Sequence, residues 1–68
     1  MKVGDKVVVA RHGLFFDEMI DTKGKVIAIK DNRVTVRFTT LLRVDEEFVN
    51  GYLDYTYDMD RLDVVENG

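Results

Sequence analysis

Runs of β-branched residues broken by short polar turns set the elements of this chain. Between residues 24 and 38, two such runs (26–29 and 34–38) flank Lys30-Asp31-Asn32-Arg33. Asp and Asn tolerate positive φ and bond back to their own backbone, so the segment reads as a β-hairpin. A two-residue Asp31-Asn32 turn sets Ile29 against Val34 and Ile27 against Val36, with Phe38 completing an apolar face. A bulge would shift this register and bring Val26 and Ala28 inward instead. Either way the first strand has apolar residues on both faces, so one face is open to cover by a loop or another subunit.

Upstream, Gly4-Asp5 precedes a β-branched run. A first strand is expected over 6–10, with Val7 and Val9 inward and Val8 on the other face. The pattern breaks over 11–23, where Gly13, Leu14-Phe15-Phe16 and the acids Asp17, Glu18 and Asp21 suggest a long loop. Loops of that length in small domains are usually functional. Residues 39–43 read as a connection or a strand continuation. Asn50-Gly51, set between β-prone residues, predicts a second hairpin. Counting outward from it pairs Glu47 with Asp54 and Val44 with Tyr57. One face would then hold Val44, Phe48, Leu53, Tyr55 and Tyr57, and the other Asp45, Glu47, Tyr52 and Asp54. The stretch after Asp58 reads as a single 3₁₀ turn and a short closing strand that returns Leu62 to the core, with residues 66–68 frayed.

Sixty-eight residues make one domain, residues 1–68. A chain this short buries only about 60% of its unfolded surface. With no Cys and one His, disulfides, thiolate metal sites and multi-histidine zinc sites are excluded, and no cofactor is expected. No apolar run approaches the ~20 residues of a membrane span, and residues 1–10 lack a signal-peptide core, so a cytoplasmic location is expected. Net charge is −3 but unevenly placed: residues 1–40 carry a net +3 and residues 41–68 a net −6. The acidic total weighs against tight sequence-independent nucleic-acid binding, yet the asymmetry permits a local basic face.

The order of elements resembles SH3-like small barrels. A Gly-Asp-x-Val strand (Gly4-Asp5-Lys6-Val7), a long first loop, a Gly-Lys-Val hairpin (Gly24-Lys25-Val26) and a turn before Leu62-Asp63-Val64 follow the plan of KOW, Tudor-like and small phage-encoded barrels. The resemblance implies an all-β barrel of five or six antiparallel strands with a 3₁₀ turn before the last. It covers most of the chain except 39–57. Plasmid-type dihydrofolate reductases also use this barrel, as a tetramer, but their Val-Gln-Ile-Tyr stretch is missing here and the activity does not carry over. Fold likeness alone warrants no function.

Candidate sites are surfaces rather than chemistry. The acidic face, Asp45, Glu47 and Asp54 with Tyr52, suggests a docking surface for a basic partner; a solvated edge that discourages strand pairing is the plainer alternative. Tyr52 lies opposite Tyr55 and Tyr57, so the three do not form one cage for a cationic side chain. Lys25, Lys30, Arg33 and Arg37 form a basic face that could contact phosphates as KOW-like barrels do, or simply be solvated. Phe15 and Phe16 suit a partner anchor or a cap on the barrel end. His12 has no companion of the kind a nucleophilic triad needs. The expectation is a non-enzymatic module that docks onto a protein, of a size that suits a phage or mobile-element modulator of a host protein. A nucleic-acid-associated barrel is the alternative, self-association would cover the apolar excess, and an oligomeric enzyme with an interface site ranks last.

Overall fold

A computed structural model describes residues 1–10 and 22–68. His12, Phe15, Phe16 and most of the expected first loop lie outside the described residues. The chain forms strands β1 (Lys6–Val9), β2 (Lys23–Lys30), β3 (Arg33–Val44) and β4 (Glu47–Asp58), a 3₁₀ turn (Met59–Arg61), and β5 (Leu62–Glu66). All pairings are antiparallel and the order across the sheet is β4-β3-β2-β1-β5. The all-β class and the 3₁₀ turn before the last strand agree with the sequence reading. Among the described residues the sheet is not closed into a barrel: β4 and β5 are its two edges.

One face of the sheet encloses the core. Val7, Val9, Val26, Val34, Val36 and Phe38 are fully buried, and Tyr57 and Leu62 nearly so. The β-branched residues suit this pleated surface, where their stiff χ1 fits the packing of neighbouring strands. Val7 and Val9 point inward and Val8 does not, as alternation requires. The β2–β3 turn sits at Asp31-Asn32, with Asp31 at φ 55° and Ile29 opposite Val34. Beyond that pair the register shifts between Val26 and Ala28, so Val26, not Ile27, meets Val36. The bulge turns Val26 into the core and leaves Ala28 exposed. It is the device that lets an apolar residue too many fit one strand.

The largest departure from the sequence reading is the second hairpin. Its turn is Asp45-Glu46, both left-handed at φ 50° and 69° in the manner of a type I′ turn, with Val44 opposite Glu47. Asn50 and Gly51 lie inside β4, facing Leu41 and Thr40. Residues 39–43 continue β3, which therefore pairs with β4 over twelve residues.

The end expected to fray is held by Asp5. This residue is almost fully buried, and its carboxylate accepts hydrogen bonds from the Lys2 amide at 2.9 Å and the Gly68 amide at 3.2 Å. Its backbone carbonyl accepts from the Val26 amide, while the Gly4 amide donates to the Val26 carbonyl. The Lys2 bond, against the opposing effect of burial, holds the Asp5 carboxyl below the usual carboxylate range. A depressed folded-state pKa contributes stability above the unfolded value of about 4 and loses it as pH falls through the folded value. Asp5→Asn is therefore expected to lower stability at pH 7 and to flatten its decline in acid. Urea midpoints measured from pH 7 to pH 2 check this; parallel curves for the two proteins would contradict it.

Candidate functional site

Strand alternation sorts the side chains of the β3–β4 ladder onto two faces. On the inner face Val34, Val36 and Phe38 meet Tyr57, Tyr55 and Leu53. The Phe38 and Tyr57 rings pack edge-on at 6.5 Å, and Tyr55 lies 6.0 Å from Phe38. On the outer face Arg33 meets Asp58, Thr35 meets Thr56, and Arg37 meets Asp54. The Thr35 and Thr56 hydroxyls are hydrogen-bonded at 3.0 Å. Arg37 donates from Nε and Nη2 to the two carboxylate oxygens of Asp54 at 2.9 and 3.0 Å, a bidentate pair. That contact holds the Asp54 carboxyl below its ordinary range. The Arg37 guanidinium also lies 5.0 Å from the centre of the Tyr52 ring.

This geometry redistributes the residues expected to form an acidic face. Because β4 runs straight through Asn50-Gly51, alternation continues unbroken, and Glu47 and Asp54 project to opposite faces. Asp45 sits in the turn, Glu47 beside Val44, and Asp54 is bound to Arg37. Asp45, Glu46 and Glu47 stay together at the hairpin tip; Asp54 and Tyr52 belong to a different surface. Tyr52 lies on the face away from Tyr55 and Tyr57, as the sequence indicated.

The expected basic face is present on the outer surface, but Arg33 and Arg37 are already paired, Arg33 with Asp58 at 3.5 Å. Lys23, close by in the sequence, lies on the same face, and one further cation, Lys6, joins it. Lys6 stands directly opposite Lys25, and Lys23 opposite Val8 on the same side. Lys25 in turn stands opposite Arg37. A depression of about 310 Å³ lies among Lys6, Lys23, Gly24, Lys25, Arg37 and Thr39. Lys6 is paired with Glu66 of the edge strand at 3.6 Å.

The second surface is the far half of the β3–β4 hairpin. β2 pairs with β3 no further than Arg37, so residues 38–44 and 47–53 run on as a two-stranded arm. Among the described residues neither edge of the arm has a further strand partner. Its outer face carries Leu41, Phe48 and Tyr52, each more than 60% exposed, and its inner face carries Leu42, Val44 and Val49, also exposed. Sequence reasoning missed Leu41, Leu42 and Phe48 as site residues. The available signal was the uninterrupted run 33–44, RVTVRFTTLLRV, which contains no turn-forming residue.

No protein-family model, no curated protein and no solved structure matches this chain.

Proposed function

We propose that this chain is a non-enzymatic binding module, SH3-like in plan, that docks onto a protein through the β3–β4 arm. The observation that carries the reading is the exposure of Leu41, Phe48 and Tyr52 on one face and Leu42, Val44 and Val49 on the other. A two-stranded ribbon without a third layer is marginal in water. Long apolar edge strands are usually blunted by Pro, inward charges or a covering segment, yet β4 is a free edge along its length among the described residues. An arm of this kind suits strand addition, in which a partner's extended segment pairs with the edge and side-chain pockets select it. Asp45, Glu46 and Glu47 at the tip would favour a partner whose apolar strand is flanked by Lys or Arg.

The test is retention of a binding partner by the immobilised protein, compared with Leu41→Glu/Phe48→Glu. Both positions are highly exposed, so the variant keeps its core. Retention is expected to fall at least tenfold in the arm variant and to be unaffected by Lys25→Glu. A partner held equally by both proteins, or one released by nuclease treatment, would sink the reading.

A further inference from the structure

The outer face of the sheet combines a cationic centre with acidic margins and an exposed ring, and we propose that it binds a single-stranded nucleic acid, along a track that shares only Tyr52 with the protein-docking arm. Lys6, Lys23, Lys25 and Arg37 stand on the three inner strands β1, β2 and β3. The acids of this face lie on the two edge strands: Asp54 and Asp58 on β4, Asp63 and Glu66 on β5. The charge pattern is thus a positive stripe between two negative rims.

Two features of the stripe call for an anion. Lys6 opposite Lys25, and Lys25 opposite Arg37, are like-charge cross-strand neighbours, an arrangement that weakens a sheet unless something neutralises it. The outermost two of these three cations each have an acid on the flanking strand, Glu66 for Lys6 and Asp54 for Arg37. Lys25 stands between them, with cations on both neighbouring strands, and the depression opens beside it and Lys23. A phosphate seated there would meet the Lys25 and Lys23 ammonium groups and an edge of the Arg37 guanidinium.

The stripe's width selects the form of nucleic acid. Strands are spaced about 4.8 Å apart, so three of them present a cationic band about 10 Å wide. One phosphodiester backbone fits that band. A duplex, whose grooves alone measure about 12 and 6 Å, would set its second strand against the Asp54, Asp58, Asp63 and Glu66 rims. Tyr52 supplies what the sequence did not place beside the basic residues, an aromatic surface. It is 64% exposed, stands opposite Thr39 at the margin of the depression, and has the Arg37 guanidinium over its ring. A basic groove bordered by an exposed ring is the composition on which unpaired bases stack.

Fluorescence anisotropy with a labelled twelve-nucleotide poly-dT tests this, with a hairpin duplex and heparin as competitors. Binding is expected at low salt, with log K falling against log salt at a slope of about −2 to −3 for three to four phosphate contacts. Lys23→Glu/Lys25→Glu is expected to abolish it, and Tyr52→Ala to weaken it about tenfold. Leu41→Glu/Phe48→Glu is expected to leave it unchanged, which separates this surface from the docking arm. Circular dichroism of each variant keeps unfolding apart from lost contact. No binding at low salt, duplex binding as tight as poly-dT, or heparin and poly-dT binding that ignores Tyr52→Ala would each overturn the proposal.

Discussion

Phe38→Ala is expected to leave most of the chain unfolded at room temperature. Phe38 is the largest fully buried side chain among the described residues and packs against the rings of Tyr55 and Tyr57. Truncating a buried Phe removes its transfer free energy and leaves a cavity, together about 3–5 kcal/mol. A chain of 68 residues has a total stability of only about 3–10 kcal/mol. The two ranges overlap, so this one substitution is comparable to the whole margin. The loss should be near the top of its range, because Phe38 lies where the sheet narrows to the β3–β4 arm, and among the described residues no second sheet stands ready to collapse onto the void. Far-ultraviolet circular dichroism with urea titration reads the outcome. A cooperative transition within about 1 kcal/mol of the parent would mean that the core is centred elsewhere.

Gly24→Val is expected to have the second-largest effect, and from the opposite cause. Gly24 is buried in β2, and a Cβ placed there would meet the Val36 Cγ1 most closely and come within 2.7 Å of Phe38 Cε1. Both neighbours are fully buried and have nowhere to move. Overpacking of this kind costs about 1–3 kcal/mol for small additions and more when backbone must shift, so the larger valine should exceed that range. Gly51→Ala is the informative control. There the added Cβ would meet the Leu42 side chain, which is 38% exposed and free to swing outward. A drop in urea midpoint for Gly24→Val together with little change for Gly51→Ala is the expected pair. Equal effects at the two sites would contradict the account.

The turns show how far local sequence carries and where it stops. Asp31-Asn32 is legible because the runs on either side match in length and pair apolar with apolar. Asn50-Gly51 has stronger local turn chemistry, yet it lies within a strand. A turn there would join strands of only six residues and set Glu47 against Asp54. The Asp45-Glu46 turn places both central residues in the left-handed region, which is unfavourable for Asp and rarer still for Glu. In exchange it aligns twelve pairs, among them Arg37 with Asp54, Arg33 with Asp58, Thr35 with Thr56, and Val36 with Tyr55. Long-range complementarity outweighs the local preference.

The candidate site was half legible for the same reason. Alternation correctly separates Tyr52 from Tyr55 and Tyr57, because parity along one strand is a local property. The companions of a side chain across the sheet depend on register, and one misplaced turn moved Asp54 from Glu47 to Arg37. Lys6 entered the basic face only through its pairing with Lys25, a contact across the 11–23 segment that the sequence reads as a long loop.

The strand order also dictates an order of events. The β2–β3–β4 meander is built from two adjacent hairpins, whose partners lie near one another along the chain and meet at small entropic cost. The seam between β1 and β5 is different: Val9 must find Leu62, more than fifty residues away. Non-local pairings of that separation are the slow steps in β-rich domains. The meander therefore presents its arm before β1 and β5 close over Val26, Val34 and Val36. The surface with the most exposed apolar residues is thus expected to form first, while the core is still open; pulse-labelling hydrogen exchange that protects the β1–β5 seam as early as the β3–β4 ladder would contradict this.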